Sequence, residues 1–318
     1  MNPISAIFSL AVGTRNALYD RGILAASRLR APVVSVGNLS MGGSGKTPLV
    51  MALGELLKAR GIGFDVLSRG YGRRSRGIAL VDGSGGPEDY GDEPLLIARR
   101  LGVPVVVGES RYAAGVFSER KFGPQLHLLD DGFQHRRLAR DFEIVLLRAD
   151  DRGARLLPFG RLREPLSALG RADAVVVPED LAVGPFRLEN QLVWRIRRGI
   201  VPGNMGQRPL LFCGIARPLD LLNQIRGLGI EPAATRFYRD HHRYSLQDVE
   251  LLTSLARESA ADGFVTTEKD AVNLGSLRSA LAPLAIAAVR LELLAADDAV
   301  DTMLRVIDER RHQGMRKS

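Results

Sequence analysis

PVVSVGNLSMGGSGKTP, residues 32–48, runs from an apolar β-branched segment through a glycine-rich loop into a proline-started helix. Glycines at 42, 43 and 45 let successive backbone N–H groups turn toward phosphate oxygens, and the helix start adds positive potential. Pro48 suits a first helical turn, where its missing N–H would have had no partner. The loop departs from the Walker pattern G-x-x-x-x-G-K-[ST] only at the outermost position, where Ser40 replaces glycine. The stretch that cradles phosphate is complete. It assigns Ser40, Met41, Gly42, Gly43, Ser44, Gly45, Lys46 and Thr47 to a nucleotide phosphate site. Lys46 bridges the β- and γ-phosphates there, and Thr47 ligates Mg²⁺.

Further strands are predicted at 64–67, 103–107, 125–129, 142–147 and 174–177, with helices over 48–60 and 93–101. Near-continuous apolar strands joined by helices imply an α/β fold of the P-loop NTPase type, a mostly parallel sheet with helices on both faces. Past Pro178 the texture changes. Residues 186–200 alternate apolar with polar, as an extended or hairpin connector does. A strand-and-helix pattern restarts at 208. The chain therefore divides into an amphipathic segment (1–28), a P-loop domain (29–185), an extended linker (186–207) and a smaller α/β domain (208–318), whose last helix can pack back on the first.

The single cysteine, Cys213, excludes an internal disulfide framework and sits in an apolar run, as a buried, inert thiol does. A net charge of +8 calls for an anionic partner. The arginines are scattered in patches, and with 6% aromatic residues there is no base-stacking platform, so nucleic acid is not expected. No apolar run is long enough to span a bilayer. Residues 4–12 place Ile4, Ile7, Phe8, Ala11 and Val12 at helical spacing, with Arg15, Arg21, Arg28 and Arg30 following. Such a helix either docks on the core or lies in a membrane interface.

Other segments carry chemistry. Leu128-Leu-Asp-Asp-Gly-Phe-Gln-His135 puts two acids, Asp130 and Asp131, at a strand's carboxyl end, where α/β folds bind ligands and one acid can hold Mg²⁺. Gly91-Asp-Glu-Pro94 opens a helix, and Asp92 fits either an N-cap or a carboxylate that takes a proton from a hydroxyl. Asp240-His-His242 reads as a general-base assembly or part of a zinc site whose remaining ligands are not evident. Arg163 in Leu-Arg-Glu-Pro either neutralises phosphate or is a solvated loop residue. Thr266-Thr-Glu-Lys-Asp270 is not the guanine-reading Asn-Lys-x-Asp, so GTPase chemistry loses support.

Taken together, V-G-N-L-S-x-G-G-S-G-K-T-P (36–48), S-R-G-Y-G (68–72), G-D-E-P (91–94), L-D-D-G-F-Q-H (129–135), L-R-E-P (162–165), D-H-H-x-Y (240–244) and T-E-K-D (267–270) resemble the tetraacyldisaccharide 4′-kinase family, the lipid A 4′-kinases. Each motif alone is modest; the ordered set is specific. Family members carry Ser or Thr where Ser40 stands. The resemblance implies ATP-dependent phosphorylation of the 4′-hydroxyl of an acylated glucosamine disaccharide 1-phosphate, with ATP and Mg²⁺ as cofactors. It implies a peripheral enzyme on the anionic cytoplasmic face of a bacterial inner membrane, with no obligate protein partner.

By matching position, Lys46 and Thr47 meet ATP and Mg²⁺, Asp130 and Asp131 lie near the metal, and Arg163 lies at the phosphate. Asp92 resembles the catalytic carboxylate and His241 its partner, with His242 an alternative imidazole. Tyr71, Gln134, His135 and His242 are candidate substrate residues. The competing class is a P-loop switch or metallochaperone, which hydrolyses nucleotide without a glycolipid.

Overall fold

The computed structural model describes residues 3–315, apart from Ser44, Gly83, Arg187 and Pro202. Its strands are β1 (Val33–Asn38), β2 (Phe64–Ser68), β3 (Ala79–Leu80), β4 (Val105–Val107), β5 (Leu126–Asp130), β6 (Phe142–Leu146), β7 (Ala174–Pro178), β8 (Leu192–Val201), β9 (Leu210–Cys213), β10 (Ala234–Phe237), β11 (Phe264–Thr267) and β12 (Leu284–Leu293). The helices are α1 (Pro3–Asp20), α2 (Lys46–Ala59), α3 (Pro87–Tyr90), α4 (Asp92–Leu101), α5 (Arg111–Phe122), α6 (Pro218–Gly227), α7 (Leu246–Glu258), α8 (Glu268–Leu274) and α9 (Ala296–Met315). Among the described residues the strands form one sheet, ordered 10-9-11-12-8-7-6-1-5-2-4-3. The α/β class read from the sequence is the class found.

The pleat explains why β1 reads as continuously apolar. Val34 and Val36 face α2, α4 and α9 through Leu49, Leu53, Leu57, Leu95, Val300 and Met303. Val33 faces the other side, with Leu29, Leu67 and Ala114 of α5. A strand covered on both faces has no polar side to show. Each such aliphatic chain contributes about 1.5–3 kcal/mol on burial.

Residues 192–201 of the segment expected as a linker are strand β8, parallel to β7 and antiparallel to β12. Strand β12 serves two neighbours in succession. Its first residues, Leu284 to Ala287, pair with β11, and Ala288 to Leu293 pair with β8. Thr267 at the end of β11 lies opposite Ala287, and Val201 at the end of β8 lies opposite Ala288. The carboxyl ends of the two half-sheets therefore meet at the middle of one strand and face each other. Helix α9 returns to the first half, where Arg311 forks onto the buried Asp141 at 2.8 Å and Arg310 binds Asp173.

Candidate active site

Between those facing edges lies a cleft of about 620 Å³. Its first-half wall carries Met41, Gly42, Gly43, Gly45, Lys46, Thr47, Arg69, Tyr71, Asp130, Asp131 and Arg163; its second-half wall carries Arg217, Asp240, His241 and Lys269.

The glycine loop adopts the form its sequence demands. Gly45 has φ 97°, a left-handed conformation that side-chain-bearing residues rarely take, and hands the chain directly to α2 at Lys46. Ser40 is buried and extended. Leu39 and Met41 exchange backbone hydrogen bonds with Arg163 and Arg161 at 2.7 and 2.8 Å, so this position has no need of a glycine. Ser44, assigned to the loop from sequence, lies outside the described residues.

Strand register brings the acids to the loop. Val36 of β1 pairs with Asp130 of β5. The turn after Asp131 comes so close to β1 that a Cβ on Gly37 would stand 2.5 Å from Phe133 Cβ. Asp131 itself has φ 51° and accepts a fork from Arg163 at 2.9 and 3.1 Å, with Lys46 at 3.5 Å. Asn38 accepts from Lys46 at 3.2 Å and from Arg163. Burial works to raise the Asp131 carboxyl, yet Lys46 and Arg163 bring it down to about 2. Asp130 is different. It accepts from the Ser68 hydroxyl at 3.1 Å, while its Oδ1 is buried with no hydrogen-bond partner. Burial, Glu93 and Asp131 push it up to about 7.

An orphaned carboxylate oxygen on Asp130, which lines the cleft together with Thr47, fits a divalent cation. Among the described residues no three His, Cys, Asp or Glu side chains gather as a metal cage. His241 turns to Asp92 and His242 to Asp248, so the two imidazoles of Asp240-His241-His242 do not converge on a zinc ion.

On the opposite wall, His241 Nδ1 lies 3.0 and 2.9 Å from the two oxygens of Asp92. Asp92 is not the N-cap of α4. Gly91 holds that place, and Asp92, at the first helical position, turns its carboxylate to His241 and to Asn273 Nδ2 at 3.2 Å. Burial works to raise Asp92, but the imidazole and Lys269 hold it below its ordinary value. Asp92 lies behind the imidazole, and His241 is the member that lines the cleft. His241 has φ 60° and donates its backbone N–H to Gly214 at 3.1 Å. Asp270, at the end of the T-E-K-D segment, binds the Gly214 N–H and the Tyr244 hydroxyl, fixing that loop.

The remaining candidates divide. Tyr71 is 64% exposed, and its ring stands 5.1 Å from that of His241. Gln134 donates to the Asn38 carbonyl at 2.9 Å and so holds the end of β1. His135 is away from the cleft wall. Burial and the guanidinium groups of Arg111, Arg140, Arg137 and Arg69 push it down to about 4. His242 also points away, stacked on Tyr238 at 4.3 Å and bonded to Asp248 at 3.2 Å. Among the cleft residues that escaped the sequence reading as site residues are Arg198 and Lys269. Their signal was only membership of a basic patch and of the T-E-K-D motif.

The family model for tetraacyldisaccharide-1-P 4′-kinase matches residues 1–308. The chain belongs to the tetraacyldisaccharide-1-P 4′-kinase family. Membership makes it a kinase and sets aside the nucleotide-switch alternative. It is 51% identical to the tetraacyldisaccharide 4′-kinase of Koribacter versatilis, over 98% of this chain and 100% of the relative. With the enzyme of that name from Anaeromyxobacter dehalogenans strain 2CP-C it shares 39%, over 94% and 88%. The crystal structure of LpxK from Aquifex aeolicus in complex with ATP superposes with a TM-score of 0.78 at 32% identity, covering 96% of this chain and 98% of that one.

Proposed function

We propose that this tetraacyldisaccharide 4′-kinase transfers the γ-phosphate of ATP to the 4′-hydroxyl of tetraacyldisaccharide 1-phosphate, giving the bis-phosphorylated lipid A precursor. The observation that carries it is the pairing of His241, on the second-half wall, with Asp92 of the first half, across the cleft from Lys46. A sugar hydroxyl is a poor nucleophile, and an imidazole backed by a carboxylate is suited to take its proton. The O–H bond breaks toward His241 Nε2, the freed oxygen bonds to the γ-phosphorus, and the bond to the ADP oxygen breaks. Lys46 and Arg163 neutralise the phosphate charge that moves, and the loop N–H groups orient the chain of phosphates. Thr47, Asp130 and Asp131 are the residues suited to hold Mg²⁺. A cation held by those residues would supply positive charge against the negative charge of the phosphates.

The acceptor lies under Tyr71, with its anionic head drawn toward Arg69, which lines the cleft. The two halves act as domains that close on the nucleotide and exclude water. Helix α1 serves as a peripheral contact with the anionic cytoplasmic face of the inner membrane. Its last turn is tied down by Arg136, which bonds Asp20 at 2.7 Å and the Asn16 carbonyl at 3.0 Å. Ile7 and Leu10 farther out are 68% and 71% exposed. Among the described residues no helix is long and apolar enough to cross a membrane.

The deciding experiment supplies γ-labelled ATP with the disaccharide 1-phosphate lipid, or with water as the only acceptor. Label on the lipid is expected; label appearing only as free phosphate in both arms would overturn the assignment.

A further inference from the structure

Lys269 stands in the T-E-K-D segment and has no part in the phosphate chemistry above. It is the second residue of α8, a helix capped by the Thr267 side chain. Its ammonium lies 2.7 Å from Asp240 Oδ1, 3.3 Å from His241 Nε2, 3.8 Å from Asp92 Oδ2 and 3.9 Å from Glu93 Oε1. The imidazole of His241 is thus held at both nitrogens, by Asp92 at Nδ1 and by Lys269 at Nε2. A carboxylate only accepts, so Nδ1 carries the proton. An ammonium only donates, so Nε2 presents its lone pair.

We propose that Lys269 is a positioning residue for the phosphoryl transfer: by donating to Nε2 of His241 it selects the tautomer whose lone pair opens on the cleft, and it yields that lone pair to the acceptor hydroxyl while staying anchored on Asp240. The inference rests on His241 being the proton acceptor.

The surroundings of the imidazole make such a residue necessary. Facing it are Asp92 from α4, Asp240 from its own loop, Lys269 from α8 and the Tyr71 ring, with Glu93 reaching Lys269. Burial works to lower His241, but Asp92 and Asp240 carry it above its ordinary value, and Lys269 acts against them. An imidazole beside two carboxylates and no cation rests as imidazolium, which has no lone pair to offer. Lys269 is suited to the task because Asp92, Glu93 and Asp240 keep it charged although burial works the other way.

The test uses the full chain with ATP, Mg²⁺ and the glycolipid acceptor, and follows kcat against pH for wild type, Lys269→Met, Lys269→Gln, Lys269→Arg and His241→Gln. Removing the cation in Lys269→Met or Lys269→Gln shifts the acidic limb upward by about one pH unit or more, a roughly tenfold loss of turnover on that limb. Lys269→Arg, which keeps a donating cation, returns the limb toward the wild-type position. ¹⁵N spectra of the imidazole show the Nδ1–H tautomer in wild type and imidazolium in Lys269→Met at the same pH. A limb that stays at the wild-type pH in both neutral variants overturns the assignment. If His241→Gln is inert while those variants titrate as wild type does, only the role of Lys269 falls. If His241→Gln turns over normally, the proton-acceptor role of His241 falls, and the Lys269 assignment with it.

Discussion

Asp92 and His241 are 149 residues apart in the chain and 2.9 Å apart in the fold, carboxylate oxygen to imidazole Nδ1. They belong to opposite half-sheets, and they meet because β12 brings the two carboxyl edges face to face.

Replacing Asp92 by Ala should lower turnover by about 10²–10⁴-fold, the usual worth of a positioned acid–base group. Nucleotide affinity should hardly change, since Asp92 lies behind His241 and away from the glycine loop. Single-turnover transfer and calorimetric ATP titration separate the two quantities. Equal losses in both would mean that Asp92 supports the fold and not the proton transfer.

Arg163→Lys keeps the charge and loses the fork. The guanidinium spans both oxygens of Asp131 and reaches Asn38, and a point ammonium cannot do all three. One lost charge-assisted bond is worth about 1.5–3 kcal/mol. Roughly a ten- to hundredfold fall in kcat/KM for ATP is expected. A lysine variant as active as wild type would show that only charge is needed there.

Ile7→Ser combined with Leu10→Ser should weaken sedimentation with anionic phospholipid vesicles by roughly tenfold or more, from the apolar burial forgone. ATP binding should be untouched, because both side chains are exposed and neither lines the cleft. Vesicle binding equal to wild type would assign α1 a purely structural role.

His127 sits between Asp65 at 2.8 Å and Glu119 at 3.5 Å, and neither His127 nor Asp65 has any side-chain exposure. Burial works to lower its pKa, but the two carboxylates raise it above 6.5. The folded form therefore holds the proton more tightly than the unfolded chain. The stability this confers is fully present below 6.5 and is lost as pH climbs through the raised folded value. Urea unfolding of wild type and His127→Gln at pH 6 and pH 9 should show the larger gap at pH 6. A gap independent of pH would leave the imidazole uncharged in the native state.

Sequence alone gave much of the first half-sheet, because strand, glycine loop and proline-started helix form a contiguous pattern whose physics is local. Lys46 and Thr47 could be proposed for that reason, and Asp130 and Asp131 because two acids close an apolar strand. The Ser40 question had a backbone answer. Pairing with Arg161 and Arg163 holds that stretch extended, and nothing in residues 32–48 announces a partner more than a hundred positions on. Asp92 read equally as a cap or a base, since the two differ only in whether an imidazole arrives. His241 and His242 could not be told apart by spacing. Adjacent side chains diverge, and the positive φ at 241 sends one to the cleft and the other onto Tyr238.

What the sequence by itself determined is therefore the α/β class, the phosphate loop with its neighbouring acids, and the family. The first two follow from short-range periodicity or from residues fixed within a single turn, and the family from the order of several short motifs along the chain. The tertiary structure alone decided that 192–201 is a sheet strand, that β12 turns the two half-sheets edge to edge, and that Asp92, His241 and Lys269 form one hydrogen-bonded group. Those facts depend on pairing register and on contacts across more than a hundred residues, and no local propensity encodes them.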